Sequence, residues 1–298
     1  MLNVKIKNHL HLHFLVFIAG FTAILGELIS IDAIPLVWFR MVFATFLMFL
    51  YIKIAKVDIR IPKKAIIKLC VAGVVIALHW ITFFSSIKVS NISIALGMFS
   101  TGAFFASILE PIIFKRAIIW YEIVLGLFVI LGVFIITHGE FKYITGILLG
   151  LLAAFLSSLF AVLNGKFLQK HSPTTISFYE FVSGVLFLSV FILFLEKPFS
   201  VEFFKLNILD YGYLFILASI CTAYAFIAAV HVMKVISPYT VVLSYNLEPI
   251  YGILIAMLLF PEQEKMSPSF YLGASVIFIM VLLNAVLKNW KHIKRNRS

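Results

Sequence analysis

The chain of 298 residues is 63% hydrophobic, has a mean hydropathy of +1.10 and contains only 12% charged residues. A soluble domain is roughly half apolar and one quarter charged, so this composition excludes a water-soluble protein. The formal net charge of +11 is scattered over many short segments. Such scattered charges face anionic lipid in a membrane protein and do not indicate nucleic-acid binding.

Ten apolar windows follow one another along the chain, and each is long enough to cross a bilayer core of about 30 Å as an α-helix. The runs do not alternate between apolar and polar residues, which excludes a β-barrel. Almost no chain is left for a soluble domain. The windows are residues 10–29, 35–54, 66–87, 92–114, 117–137, 143–164, 174–195, 211–231, 238–260 and 269–288.

The first window follows two lysines, as the apolar region of a signal peptide does. The run is long, however, and no small-residue cleavage site follows it, so we expect this helix to be retained. The two cysteines, Cys70 and Cys221, lie within or at the ends of windows, and they predict no disulfide framework.

Basic residues indicate how the ten helices are oriented. The segments on one side of the predicted bundle hold only Lys88, Lys142, Lys197, Lys205 and Lys265, whereas most of the 24 Lys and Arg residues lie in the segments on the other side. Because Lys and Arg accumulate in cytoplasmic segments, both termini are predicted to be cytoplasmic. Residues 289–298 form a basic cytoplasmic tail in this prediction.

An internal repeat appears when the fourth window is aligned with the ninth. Gly102–Gly126 and Pro249–Gly273 have equal lengths, and each reads as an apolar helix, a short charged turn and the Leu-Gly opening of the next helix. Two five-helix repeats, 10–137 and 143–288, follow from this alignment. Five is an odd number, so the repeats must have opposite orientations in the membrane. Inverted repeats are typical of transporters that bind their substrate near the membrane midplane.

Three stretches carry a resemblance to a known family: "LVWFRMVFA" at Leu36–Ala44, "WYEIVLGLFVILGV" at Trp120–Val133, and "LEPIYGILIAMLLFPEQEKMSPSFYLG" at Leu247–Gly273. With these stretches the sequence resembles the EamA family of the drug/metabolite transporter superfamily over about residues 14–287. The resemblance implies a ten-helix carrier of small metabolites, often an exporter. These motifs are structural and name no substrate.

The first half departs from the family pattern at two places. Gly102 replaces a proline, and Lys115 with Arg116 occupies the turn where the family usually has a glutamate, as Glu264 is in the second half. A shared role for the acid in the turn is therefore not expected.

Glu248 lies about ten residues into the ninth window, where a charge costs at least about 2.5–3.5 kcal/mol. Ser244 shares its helical stripe, and Tyr245 and Tyr251 flank it at three residues. Pro249 cannot donate to the carbonyl of Tyr245, which predicts a kink. We expect Glu248 to face a central cavity and to bind an amine or carry a proton. A packing hydrogen bond is the alternative.

Further polar positions are candidates for the same cavity. Thr101 is the position of the fourth window that corresponds to this level, and His79 with Trp80 opens a face that combines aromatic and polar groups. Such a face suits an organic metabolite, although packing within the bundle explains it equally well.

Four charged residues near the ends of the windows are candidates for gates. Glu27 and Arg40 lie at similar depth near the outer side, and they predict an ion pair that is either structural or an outer gate. Glu110 and Glu180 lie near the inner ends, where they either form an inner latch or snorkel to the interface. Three cations are near enough to neutralise them: Lys115, Arg116 and Lys170.

The sequence predicts neither an enzyme nor a cofactor. It contains no phosphate-binding glycine loop, zinc-binding His-Glu-x-x-His or nucleophile elbow. His9–His13 has no acidic or cysteine ligands beside it, so no metal site is predicted. Ser244 with Glu248 is too generic a pair to indicate an intramembrane hydrolase.

We therefore expect a multi-pass protein of the plasma (cytoplasmic) membrane, either monomeric or homodimeric, whose partners are the lipid bilayer, a small-molecule substrate and protons. The preferred function is secondary transport by alternating access, with efflux of amino acids or related compounds. Two alternatives stay open: an exchanger of nucleotide sugars or phosphorylated metabolites, which requires several cavity cations, and a membrane sensor or scaffold that does not transport.

Overall fold

The computed structural model describes residues 4–195, 198–245 and 247–295. Within these ranges the regular structure is entirely helical, as the apolar windows predicted. Lys197, one of the predicted outer cations, and the last three residues of the predicted basic tail lie outside the described residues.

Fourteen α-helices follow one another in the described parts of the chain. They are α1 (Val4–Leu28), α2 (Ala33–Ile54), α3 (Lys63–Val89), α4 (Ile92–Phe99), α5 (Gly102–Phe114), α6 (Trp120–Gly139), α7 (Ile144–Phe167), α8 (Pro173–Ile192), α9 (Val201–Phe204), α10 (Ile208–Ala218), α11 (Ala225–Val232), α12 (Pro238–Tyr245), α13 (Glu248–Leu259) and α14 (Pro268–Arg295). A 3₁₀ turn, Phe141–Tyr143, precedes α7, and a π-helix, Ser219–Tyr224, joins α10 to α11.

Among the described residues, nine helical segments are long and apolar enough to cross a membrane, and the shorter apolar helix Pro268–Asn284 corresponds to the tenth predicted window. The all-helical membrane fold predicted from composition is therefore confirmed. With Pro268–Asn284 counted as the tenth span, alternating directions place the start of α1 and the end of α14 at the same end of the bundle. We call this the terminal end and the other the distal end.

The fourth and ninth spans are both interrupted near their middle. In the fourth span α4 ends at Phe99 and α5 begins at Gly102, and in the ninth α12 ends at Tyr245 and α13 begins at Glu248. Pro249 occupies the first turn of α13, where its missing N–H does no harm. The sequence predicted a kink in the ninth span and not the break in the fourth. Non-helical backbone at membrane depth is tolerated only inside protein or beside a cavity.

Glycines allow the helices to approach each other closely. A Cβ atom on Gly73 of α3 would lie 2.1 Å from the carbonyl oxygen of Glu180 on α8, and one on Gly273 of α14 would lie 2.5 Å from the carbonyl oxygen of Gly132 on α6. Helices in membranes gain stability from such backbone contacts, because lipid provides little hydrophobic driving force between helices. The α3–α8 contact thus brings two polar positions of the bundle, His79 and Glu180, onto neighbouring helices.

Carboxylates bind backbone amides at the distal end. Glu264 accepts hydrogen bonds from the N–H groups of Ile92 (3.0 Å) and Ser93 (2.8 Å) at the start of α4. In the corresponding turn of the first half, Lys115 adopts a left-handed conformation (φ 55°). The departure from the family pattern noted in the sequence therefore coincides with a different structure of the turn.

Two further carboxylates tie loops together at the distal end. Asp210 accepts from the N–H (2.8 Å) and the hydroxyl (2.7 Å) of Ser30, and Glu140 accepts from the N–H of Ser267 (2.7 Å). Lys88 donates to the carbonyl oxygen of Ile29 at 2.7 Å. Loops from both halves of the chain are thus bound to one another at this end.

Candidate functional site

A cavity lies between the helices, with walls from both halves of the chain. Its first-half wall comes from α1 to α5, and its second-half wall comes from α7, the π-helix, α11, α12 and α13. One Trp and four Phe side chains give it a mainly apolar lining: Trp80, Phe83, Phe99, Phe160 and Phe226. A cavity with an aromatic lining and a limited number of polar groups has the character of a small-molecule site.

The cavity extends toward the terminal end of the bundle. Its lining includes Asn164, Met233 and Val241, which lie within a few residues of the terminal ends of their spans. At the distal end the loops are held by the carboxylate contacts of Asp210 and Glu264. The structure therefore has its void on the side of the termini and its tied loops on the opposite side.

Glu248 lines the cavity at the break in the ninth span. It is the first residue of α13, immediately before Pro249. The side chain is 5% exposed. The structure thus places Glu248 on the cavity wall, where the sequence analysis expected it.

Arg40 is the cation of the cavity lining and is 2% exposed. Its Nε donates to Thr222 Oγ1 at 2.6 Å, and its Nη2 lies 3.5 Å from the carbonyl oxygen of Cys221. The guanidinium carbon lies 3.9 Å from the centroid of the Trp80 ring. Nη1 has no hydrogen-bond partner.

The predicted ion pair between Glu27 and Arg40 is not formed. Among the described residues no salt bridge joins these two side chains, and none joins Arg40 to Glu248. The physical reason is that Arg40 turns into the bundle, where the π-helix offers a hydroxyl and a carbonyl and Trp80 offers a ring face. Glu27 stays half-buried near the distal end. A gating role for either residue remains a prediction.

His79 and Trp80 both line the cavity. The Nδ1 of His79 is 2.9 Å from the carbonyl oxygen of Ala153, an acceptor, so Nδ1 carries the proton. The imidazole ring packs between Phe99 and Phe160, with centroid distances of 5.7 and 5.4 Å. His79 is therefore held rigidly by α7 on one side and by aromatic rings on the other.

Three of the residues predicted for the site do not line the cavity. Ser244 donates to the carbonyl oxygen of Thr240 in its own helix (2.9 Å), and Thr101 donates to that of Met98 (2.7 Å). Tyr251 packs edge-on against Phe17 of α1, at 5.6 Å between centroids. Tyr251 lies in the same helix as Glu248, and a spacing of three residues leaves their side chains about 60° apart around the helix axis, so Tyr251 faces α1. Tyr245 does line the cavity.

The two acids predicted near the inner ends have different partners. Arg116 Nη1 donates to Glu110 Oε1 at 3.1 Å, which matches the predicted neutralisation by that cation. Glu180 does not reach the interface or Lys170. It is fully buried, accepts from Asn164 Nδ2 at 3.2 Å, and its Oε1 has no hydrogen-bond partner. The close α3–α8 contact at Gly73 encloses Glu180 in the bundle and prevents snorkelling.

Sequence reasoning did not assign Thr222, Cys221 or Phe226 to the cavity. Thr222 and Cys221 belong to the π-helix, and a π-helix has no reliable sequence signature. The polar pair inside the apolar window 211–231 was the available signal. Among the described residues, no group of three or more His, Cys, Asp or Glu side chains is placed to hold a metal ion.

Comparisons with known proteins identify the fold. The model of a family described as the EamA-like transporter family matches residues 9–138 and 144–286. A solved structure described as "Crystal structure of protein" matches with a TM-score of 0.66 and 13% identity, covering 93% of this chain and 96% of the other. At this identity the likeness concerns the fold alone. No curated protein gives a significant match.

Proposed function

Since this chain belongs to the EamA-like transporter family, we propose that it is a secondary transporter that moves small organic metabolites across a membrane by alternating access. The proposal rests mainly on one observation: Glu248, a buried acidic residue, lines a cavity whose walls come from both halves of the chain. An intramembrane acid beside a cavity is typical of a substrate or ion pathway.

Alternating access requires two arrangements in which the cavity opens to opposite sides of the membrane. The cavity extends toward the terminal end, and the loops at the distal end are joined by hydrogen bonds. These two features support the arrangement in which the cavity opens at the terminal end. If the termini are cytoplasmic, as the distribution of Lys and Arg favours, the cavity is directed toward the cytoplasm. Outward transport then begins with capture of a cytoplasmic molecule, in line with the proposed efflux.

The proposed substrate is an amino acid or a related compound whose amine contacts Glu248. The carboxylate attracts the ammonium group, and the aromatic lining contacts the apolar side chain. Exchange of protons at the same carboxyl is the proposed energy source. Nucleotide sugars and phosphorylated metabolites are less well matched, because Arg40 is the single Lys or Arg among the described residues that line the cavity.

Reconstitution in liposomes tests this function. We expect the purified protein to take up labelled amino acids from a panel when a pH gradient is imposed, and Glu248→Gln to lower the rate by at least about tenfold, because the amide cannot pair with an ammonium group or exchange a proton. Glu262→Gln is the matched control, since that carboxyl is exposed in the loop after α13. Equal uptake by Glu248→Gln and the control would contradict the proposal.

A further inference from the structure

The cavity has a second charged group opposite in sign to Glu248, and we propose that Arg40 binds a carboxylate of the substrate. The transported molecules are then zwitterions that carry an amine for Glu248 and a carboxylate for Arg40. This inference rests on the proposed transport function, and it narrows the substrate class from amines in general to molecules with both groups.

The guanidinium group of Arg40 is held on three sides. Thr222 accepts from Nε at 2.6 Å, the carbonyl of Cys221 lies 3.5 Å from Nη2, and the Trp80 ring lies under the guanidinium plane at 3.9 Å. These contacts come from two helices other than α2, on which Arg40 lies. A long side chain fixed in this way has lost its freedom before any ligand arrives, which lowers the entropic cost of binding.

Nη1 is the part of the group that remains without a partner. It is buried and makes no hydrogen bond. A buried donor on a charged group is unfavourable unless it gains an acceptor. Since Arg40 lines the cavity, a carboxylate that enters the cavity provides the missing acceptor.

The acids of the chain do not fill this role. No salt bridge within 4.0 Å joins Arg40 to Glu248 or to Glu27 in the described structure. Arg40 and Glu248 line the same cavity from α2 and α13 without forming a salt bridge with each other. A molecule whose two charges are complementary to this pair satisfies both side chains at once, whereas an amine or an acid satisfies only one.

The π-helix explains how the polar groups come to lie beside Arg40. Within Ser219–Tyr224 the hydroxyl of Thr222 donates to the carbonyl oxygen of Leu217 at 2.5 Å, so its oxygen lone pair is directed to Arg40. π-Helices frequently occur at functional sites because they redirect backbone and side-chain groups. Thr222 is thus a positioning residue for the carboxylate subsite.

Two matched sets of probes test the inference at a fixed pH. Each set contains an amino acid, its amine without the carboxylate and its acid without the amine: phenylalanine, phenethylamine and 3-phenylpropionate, and leucine, 3-methylbutylamine and 4-methylpentanoate. The readout is protection of Cys221, which lines the cavity, from a membrane-permeant maleimide in the Cys70→Ala background. This readout does not depend on transport.

We expect at least one amino acid to protect Cys221 at a concentration at least about tenfold lower than its amine or its acid does. Arg40→Gln removes the advantage of the amino acid over the amine, and Glu248→Gln removes its advantage over the acid. Thr222→Val keeps Arg40, and it reduces only the advantage of the amino acid over the amine. Thr137→Val is the control, because the Thr137 hydroxyl bonds to a carbonyl of its own helix away from the cavity.

Three results would overturn the inference. Protection by an amine equal to that by its amino acid is one, and an advantage of the amino acid that persists in Arg40→Gln and Thr222→Val is another. The third is recovery of the amino acid's advantage in the double variant Arg40→Gln with Glu248→Gln, because that would mean the two side chains serve only to neutralise each other. Protection that follows this pattern without uptake into liposomes would contradict the transport function and leave the carboxylate subsite supported.

Discussion

Arg40 and Trp80 form a stacked pair in the wall of the cavity, with 3.9 Å between the guanidinium carbon and the ring centroid. The pair joins α2 to α3, and it presents a cation to the cavity on an aromatic surface. A cation over a ring face is attracted by the ring quadrupole, most strongly when water is excluded. The cavity thus acquires a fixed positive group that, among the described residues, forms no salt bridge with a carboxylate.

Replacing Trp80 is expected to weaken the site through Arg40. Trp80→Leu removes an attraction of about 0.5–2 kcal/mol, which corresponds to a rise in KM of about twofold to thirtyfold for a zwitterionic probe. Trp80→Phe keeps a ring under the guanidinium and is expected to have a smaller effect. Transport kinetics in liposomes measure both. Trp120→Leu, in which the lost ring is 73% exposed, provides the control.

Gly73 is expected to tolerate no larger residue. Its Cβ atom in Gly73→Ala would meet the hydroxyl of Ser183 and the backbone of Glu180, so α3 and α8 must separate. Overpacking of this kind costs about 1–3 kcal/mol of unfolding free energy. We expect a lower melting temperature in detergent. The measurement is the fraction of monodisperse protein on size-exclusion chromatography after heating to increasing temperatures.

Gly212→Ala is the matched control for that experiment. It lies in α10, and no atom lies within 4 Å of the position where its Cβ would be. Because alanine favours the helical conformation over glycine, this substitution is expected to leave stability unchanged or raise it by up to about 1 kcal/mol. Similar losses of stability in Gly73→Ala and Gly212→Ala would show that the α3–α8 contact is not as close as described.

Glu264 is expected to stabilise the distal end. In Glu264→Ala the N–H groups of Ile92 and Ser93 lose their acceptor, and α4 loses a negative charge at its N-terminus. Loss of such a cap costs about 0.5–2 kcal/mol. The melting temperature should fall in this variant and not in Glu262→Ala, whose carboxyl is exposed in the same loop. An unchanged melting temperature for both variants would contradict this role.

The buried hydrogen bond between Asn164 and Glu180 is expected to contribute to the stability of the protein. Asn164→Leu leaves a buried carboxyl group without its donor, at a cost of about 1–3 kcal/mol. Adding Glu180→Met removes the group that was left unpaired, so the double variant is expected to recover much of the lost stability. Thermal stability of the single and double variants measures this coupling. Additive losses would mean that the two side chains do not interact.

The prediction of the fold succeeded where it depended on length and composition. Each window of about 20 apolar residues became a membrane-length helix or the shorter helix at Pro268–Asn284, because an apolar segment in lipid must satisfy its own backbone hydrogen bonds. The prediction failed at the interruptions. Pro249 predicted a kink in the ninth window, but no residue of the fourth window predicted the interruption before Gly102.

The residues of the site could be predicted only in part, because helical spacing and depth in a window do not fix where a side chain points. Glu248, Tyr245, His79 and Trp80 line the cavity as the polar and aromatic patterns indicated. Tyr251 was assigned by its spacing of three residues from Glu248 in the same helix, but this spacing leaves the two side chains about 60° apart around the axis, and Tyr251 faces α1 instead. Arg40 was predicted to pair with Glu27 because the two residues lie at similar depth in their windows. Depth does not specify the direction in which a flexible side chain points.

The sequence by itself determined that this chain crosses a membrane many times, that it resembles one transporter family and that a few charged residues lie at membrane depth, since all three follow from hydropathy and motif. The tertiary structure alone decided which of those charged residues line the same cavity. Arg40 and Glu248 are more than 200 positions apart along the chain, and only the packing of α2, α13 and the π-helix brings them to one cavity. Partnerships between distant side chains depend on helix phase and direction, and a π-helix or a broken span changes both.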